Sequence, residues 1–150
     1  MRYFLDCEFN GFGGAFISIG VAPEAADAAP FYEATSCENP TPWVRDAVLP
    51  ALRTEPKPVA DIACAFAAYL ADDPDPLLVA DWPEDIAHAA QLLTLGTRRL
   101  VVGTVRFELL EVSNFSTDVL SKVPHNAYED ALALREYMLA HESWLARAKG

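Results

Sequence analysis

The chain has 150 residues and a mean hydropathy of +0.11, which suits one domain with a sizeable buried core. No apolar run approaches the ~20 residues that span a bilayer, and no membrane partner is expected. The formal net charge of −11 argues against a tight, salt-driven binder of long duplexes, because acidic surfaces repel phosphate at long range, but not against a nucleic-acid enzyme whose divalent cations bridge carboxylates to phosphate.

Residues 2–6 (RYFLD) predict a first strand. They meet an acid too early to open a secretory signal, which needs a basic and then an apolar region. Residues 15–22 (AFISIGVA) predict a second strand, with the glycine-rich turn Asn10-Gly11-Phe12-Gly13-Gly14 between the two. Residues 31–35 (FYEAT) predict a third, and three such close neighbours suggest an antiparallel meander. Asn39-Pro40-Thr41-Pro42 reads as a helix entrance, and Val44, Val48 and Leu52 give Trp43 to Leu52 helical spacing. A second helix is expected from Pro58 to Ala71, with Ile62, Phe66, Tyr69 and Leu70 inward.

After the turn Asp72-Asp73-Pro74-Asp75-Pro76, the short apolar run Leu77 to Ala80 predicts a buried strand. A helix follows from about Glu84 to Leu95, stopped by Gly96. Leu100-Val101-Val102 suggests a strand, and Val105 to Val112 fits a strand or a helix. The last helix runs from Ala127 to about Arg147. The sum is a single α/β domain with a mixed sheet and flanking helices. The crossover into Leu77 to Ala80 is long enough for a parallel connection.

Three groups of residues can carry chemistry. Asp6 and Glu8 end the first strand, and a period of two puts both on one face while Cys7 points to the core. Two such carboxylates repel unless a cation lies between them, and magnesium or manganese suits oxygen ligands. With 22 acidic residues, an Asp-x-Glu arises roughly once by chance, so alone it decides nothing. In His125-Asn126-Ala127-Tyr128-Glu129-Asp130, Asn126 and Glu129 form a capping box. The helix then starts at Ala127, His125 stays on the loop, and Asp130 lies one turn in, where the helix dipole favours a carboxylate. In the third group, Asp81, Glu84 and Asp85 crowd a strand-to-helix junction. Asp81 suits a turn, Glu84 a first helical turn, and Asp85 reaches the same cluster as Asp6 if its helix docks beside the first strand. Cys7, Cys37 and Cys64 are odd in number and form no CxxC pair, which points to reduced thiols in a cytoplasm.

Asp6-x-Glu8, a mid-chain Asp and His125-x-Ala127-x-x-Asp130 resemble, in this order, the motifs of the DEDDh 3′–5′ exonucleases of the ribonuclease-H-like superfamily. The opening MRYFLDCEF, the segment Ile17 to Val21 and Trp43 to Pro50 resemble its small bacterial 3′–5′ exoribonucleases. The second motif departs, with Glu84 where the family usually has an aromatic residue. The resemblance implies a ribonuclease-H-like fold and hydrolysis with two Mg2+ or Mn2+ ions. It implies Asp6, Glu8, Asp85 and Asp130 as ligands, with Asp81 as the competitor for the fourth place, and His125 as general base. Single-stranded RNA 3′ ends are the implied partner. DNA ends, short oligonucleotides of either sugar, and a non-catalytic binding module on the same fold are the competing expectations. Phe9 and Asn10 adjoin the carboxylates and are the candidate substrate contacts, although Phe9 fits the core equally well. A two-fold dimer using residues 98–112 is compatible with the pattern.

Overall fold

The structure, a computed structural model, describes residues 1–95, 98–99 and 103–148. Strands β1 (Arg2–Phe9), β2 (Phe16–Pro23) and β3 (Phe31–Ala34) form the expected antiparallel meander. Helix α1 (Val59–Leu70) crosses over to β4 (Leu77–Ala80), which runs parallel to β1. Helix α2 (Pro83–Leu92) leads to a small hairpin of β5 (Thr94–Leu95) and β6 (Arg98–Arg99). Strand β7 (Arg106–Leu109) then joins β4 in parallel, followed by the short α3 (Thr117–Leu120) and the long α4 (Ala127–Ala148). The sheet order β3-β2-β1-β4-β7, mixed and flanked by helices, is a ribonuclease-H-like topology in a single α/β domain. Among the described residues no helix is long and apolar enough to cross a membrane.

Strand alternation divides the core between two faces. Leu5, Cys7, Ile19, Val21 and Leu78 pack under α1 and α2, against Ile62, Phe66, Leu70 and Leu92. Phe4, Ala22 and Val79 pack on the other face against Ala131 and Leu134 of α4. Gly20 of β2 is what lets α4 come so close. A Cβ there would lie 2.2 Å from the Ala127 carbonyl carbon and the Tyr128 nitrogen.

Several expectations are revised. Val44, Val48 and Leu52 are buried in one cluster, as their spacing requires, but the segment is not an α-helix. It is a π-helical turn (Val44–Val48) running into a 3-10 turn (Leu49–Ala51). Pro50 has no N–H for the Asp46 carbonyl, so the i→i−4 ladder fails there, and the Leu49 N–H reaches Val44 instead. Helix α2 ends three residues early: the Thr94 hydroxyl bonds the Gln91 carbonyl at 2.8 Å, and the chain turns into β5. β1 continues past Asp6 to Phe9 because β2 pairs with it throughout, with a bulge between Glu8 and Phe9. Of the two options for Val105 to Val112, the strand is the one formed, as β7. Helix α3 was not anticipated. Gly96 and Leu100-Val101-Val102 lie outside the described residues.

Candidate active site

The site lies where β1 outruns its parallel neighbour. β4 pairs only with Arg2, Tyr3 and Phe4, so past Phe4 that side of β1 is open at the carboxyl ends of the parallel strands. This is where α/β sheets usually hold ligands. Asp6 and Glu8 share the α4 face with Phe4, and Cys7 is turned into the opposite core. Asp85, in the first turn of α2, closes the open edge: its Oδ1 accepts the Cys7 N–H at 3.2 Å. The Asp85 carboxylate is therefore fixed to the backbone between Asp6 and Glu8.

The other half comes from the start of α4. Asn126 caps it, its Oδ1 accepting the Glu129 N–H at 3.2 Å. The expected reciprocal bond is not made, since the Asn126 N–H goes to the Val123 carbonyl. The Asn126 Nδ2 instead donates to the Ala51 and Leu52 carbonyls, at 2.8 and 3.2 Å, and so ties the helix start to the 3-10 turn. His125 sits at φ +66, a left-handed turn conformation, and its N–H donates to Asp130 Oδ2 at 3.0 Å. Its ring meets Trp43 edge-on with centroids 4.8 Å apart, and its Nε2 lies 3.5 Å from an Asp118 oxygen. The loop thus holds the imidazole in place.

These elements bring one potential ligand atom each of Glu8, His125 and Asp130 within 4.8 Å of one another. Asp6 and Asp85 adjoin them closely enough to shift one another's ionisation. Burial, and then the neighbouring Asp85, Glu8 and Asp130, holds the Asp6 carboxyl well above the usual range. Burial followed by Asp130 and Asp85 pushes Glu8 up to about 8. Asp85 also reaches about 8 through burial, against the pull of the Cys7 N–H. Asp130 rises to about 6, again by burial, with the Ser121 hydroxyl and the His125 N–H opposing. Asp6 Oδ2, Asp85 Oδ2 and Asp130 Oδ1 are buried with no hydrogen-bond partner among the described residues. Asp81 is only half-buried, and burial raises its carboxyl too.

A cleft of about 340 Å³ opens beside Glu8, walled by Phe12, Trp43 and Trp82. These residues are 89, 54 and 49% exposed, so the cleft presents aromatic surface to solvent. Glu84 joins two walls of the cleft. One carboxylate oxygen accepts the Gly13 N–H at 2.6 Å and the other the Trp82 indole N–H at 3.3 Å. Phe9 lines the cleft floor but also stacks on His88 at 5.1 Å and packs on the core. The Asn10 amide holds the 39–41 loop, donating to the Asn39 carbonyl and accepting the Thr41 N–H.

No family model and no curated protein matches this chain. All five sequence candidates, Asp6, Glu8, Asp85, His125 and Asp130, meet at one end of the sheet. Sequence reasoning missed Gly20, the clamp that Glu84 makes and the exposed aromatics. A glycine inside a strand signals close backbone approach and could have pointed to Gly20. The Glu84 clamp bridges 71 positions and left no local signal.

Proposed function

We propose that this chain is a divalent-metal-dependent 3′–5′ exonuclease of DEDDh type that trims single-stranded RNA. The observation that carries this reading is the set of buried carboxylate oxygens with no donor, gathered around Glu8 and His125, with Glu8 also lining the aromatic cleft. Acceptors buried without donors are costly unless protonated or bound to a cation. The donors are carboxylate oxygens with one imidazole, and Cys7 faces away, so the set fits Mg2+ or Mn2+ and not a thiolate zinc site.

In this reading Asp6, Glu8, Asp85 and Asp130 would hold two ions, which when bound acidify water and neutralise charge on the phosphate. The bond from the Cys7 N–H favours Asp85 over Asp81 as the fourth carboxylate. His125 takes the proton of the attacking water, with Trp43 and Asp118 orienting its ring. The water oxygen bonds to phosphorus while the bond to the preceding 3′ oxygen breaks. A 5′-mononucleotide leaves, and the shortened strand keeps a 3′ hydroxyl. Phe12, Trp43 and Trp82 would stack bases without choosing among them. Stacking also ignores the sugar, which favours short DNA as a second substrate. Three free thiols suit a reducing cytoplasm.

The test is incubation of 5′- and 3′-labelled RNA and DNA with Mg2+, Mn2+ or EDTA. The 5′-labelled strand should shorten one nucleotide at a time, the 3′ label should appear as mononucleotide, and EDTA or Asp6→Ala should stop both. Intact strands in Mn2+, or undiminished cleavage in EDTA, would overturn the proposal.

A further inference from the structure

We infer that the cavity beside Arg53 is an upstream nucleotide subsite, in which Arg53 holds a phosphodiester of the strand whose 3′ end lies in the acid cluster. This rests on the nuclease reading above. The cavity measures about 550 Å³, within the range of small-molecule sites. Arg53, Thr35, Ser36 and Thr54 give it a cation and three hydroxyls, and Leu49 and Leu52 an apolar wall. Cation and hydroxyls suit a phosphate, and the apolar wall suits a base or ribose.

The charge inventory singles out Arg53. Arg2 is paired with Glu24 and Glu142, Arg45 with Asp46, Lys57 with Glu33, Arg106 with Asp75, and Arg135 with Glu136. Among described side chains, Arg53, Lys122 and Arg147 make no ion pair. Of these, Lys122 borders a cavity of only about 20 Å³, and Arg147 lies near the exposed end of α4. In a chain of net charge −11, such an unneutralised guanidinium at a nucleotide-sized cavity is, among the described side chains, where a phosphate is least repelled. Glu55 shares the rim, so a singly charged phosphodiester is favoured over a doubly charged free phosphate.

Topology places this cavity on a path through the acid cluster. β3 runs parallel to β1, so Thr35, just after β3, lies at the same end of the sheet as Glu8. Two strand spacings separate them, about 10 Å. Trp82 follows β4, on the opposite side of β1. A strand with its terminal base among the aromatics and its scissile phosphate at the carboxylates would therefore continue toward Arg53. The link to the catalytic loop is short: the carbonyl of Leu52, next to Arg53, is held by Asn126, next to His125.

The experiment compares a dinucleotide lacking a 5′ phosphate, which has only its scissile phosphate, with a tetranucleotide. Each is given to wild type, Arg53→Gln and Arg53→Lys with Mn2+. The preference for the tetranucleotide in kcat/KM should fall roughly tenfold in Arg53→Gln and be largely restored in Arg53→Lys. The slope of log KM for the tetranucleotide against log salt should flatten by about 0.7, the value of one phosphate contact on a single strand. An unchanged length preference and slope, with wild type active, would overturn the subsite and leave the nuclease reading standing. A wild type that cleaves neither substrate overturns both. Inhibition by free mononucleotide that Arg53→Gln abolishes, with the length preference unchanged, would assign the cavity to a free nucleotide and overturn the strand path.

Discussion

Replacing Gly20 by Ala tests how the two halves of the site are joined. Gly20 pairs with Asp6 across β1 and β2, and α4 begins directly over it. The new Cβ would sit 2.2 Å from two backbone atoms and 2.3 Å from the Ala127 carbonyl oxygen, where ordinary contact begins at 3.4 Å. The start of α4 must therefore retreat by about 1 Å, and trimming Ala127 gives no relief because the obstruction is main chain. Overpacking of this kind costs about 1–3 kcal/mol, which lowers Tm by roughly 2–12 °C in a domain of this size. The same retreat moves Asp130 and His125 away from Glu8. A displacement near 1 Å in a reacting constellation costs roughly a hundredfold in rate. Thermal melting and single-turnover cleavage with Mn2+ measure the two effects together. A Gly20→Ala chain with wild-type Tm and wild-type turnover would refute both the close packing and its role in placing Asp130.

The buried acids predict a falling stability with rising pH in the metal-free chain. Glu8 and Asp85 at about 8 and Asp130 at about 6 all lie above their unfolded values near ~4, so the folded state binds more protons. Their stabilisation is full below the unfolded values and is lost as pH climbs through about 6 to 8. Tm in EDTA should therefore drop between about pH 5 and about pH 9, Mn2+ should remove much of the drop, and a flat profile in EDTA would contradict the shifts. Asp85→Asn keeps an acceptor for the Cys7 N–H, so it should fold normally yet lose turnover by orders of magnitude, whereas Asp81→Asn should keep most activity. If single-turnover rates show the reverse, Asp81 is the fourth carboxylate. Glu84→Ala releases Gly13 and the Trp82 indole from each other. Steady-state kinetics should show KM for oligonucleotides rising several-fold with kcat within about twofold, since the clamp shapes the cleft and not the reacting centre. A fall in kcat alone would argue against that role.

The parts of this site that depend on local chemistry were legible in the sequence. Asn126 ahead of Glu129 marked the start of α4 and left His125 on the loop. The period of two separated Cys7 from Asp6 and Glu8, and the brevity of the four-residue run Leu77 to Ala80 pointed to the short buried strand that forms. What depends on distant contact was not legible. The apolar spacing of Val44, Val48 and Leu52 reported burial correctly but not the hydrogen-bond ladder, which Pro50 interrupts. The departure from the family pattern at Glu84 was visible, yet its meaning emerged only when the glycine loop folded against it.

The open stretch of β1 beyond Phe4 has a consequence for self-association. An unpaired strand edge offers its N–H groups to any other strand, and proteins commonly cover such edges to stay monodisperse. Here the start of α2 lies over the edge, and the Asp85 carboxylate occupies the Cys7 N–H that an intruding strand would seek. A chain that kept β1 but lost this cover would expose a hydrogen-bonding template flanked by the apolar residues of the core. The same carboxylate thus guards the fold against strand addition at the point where the sheet is left open.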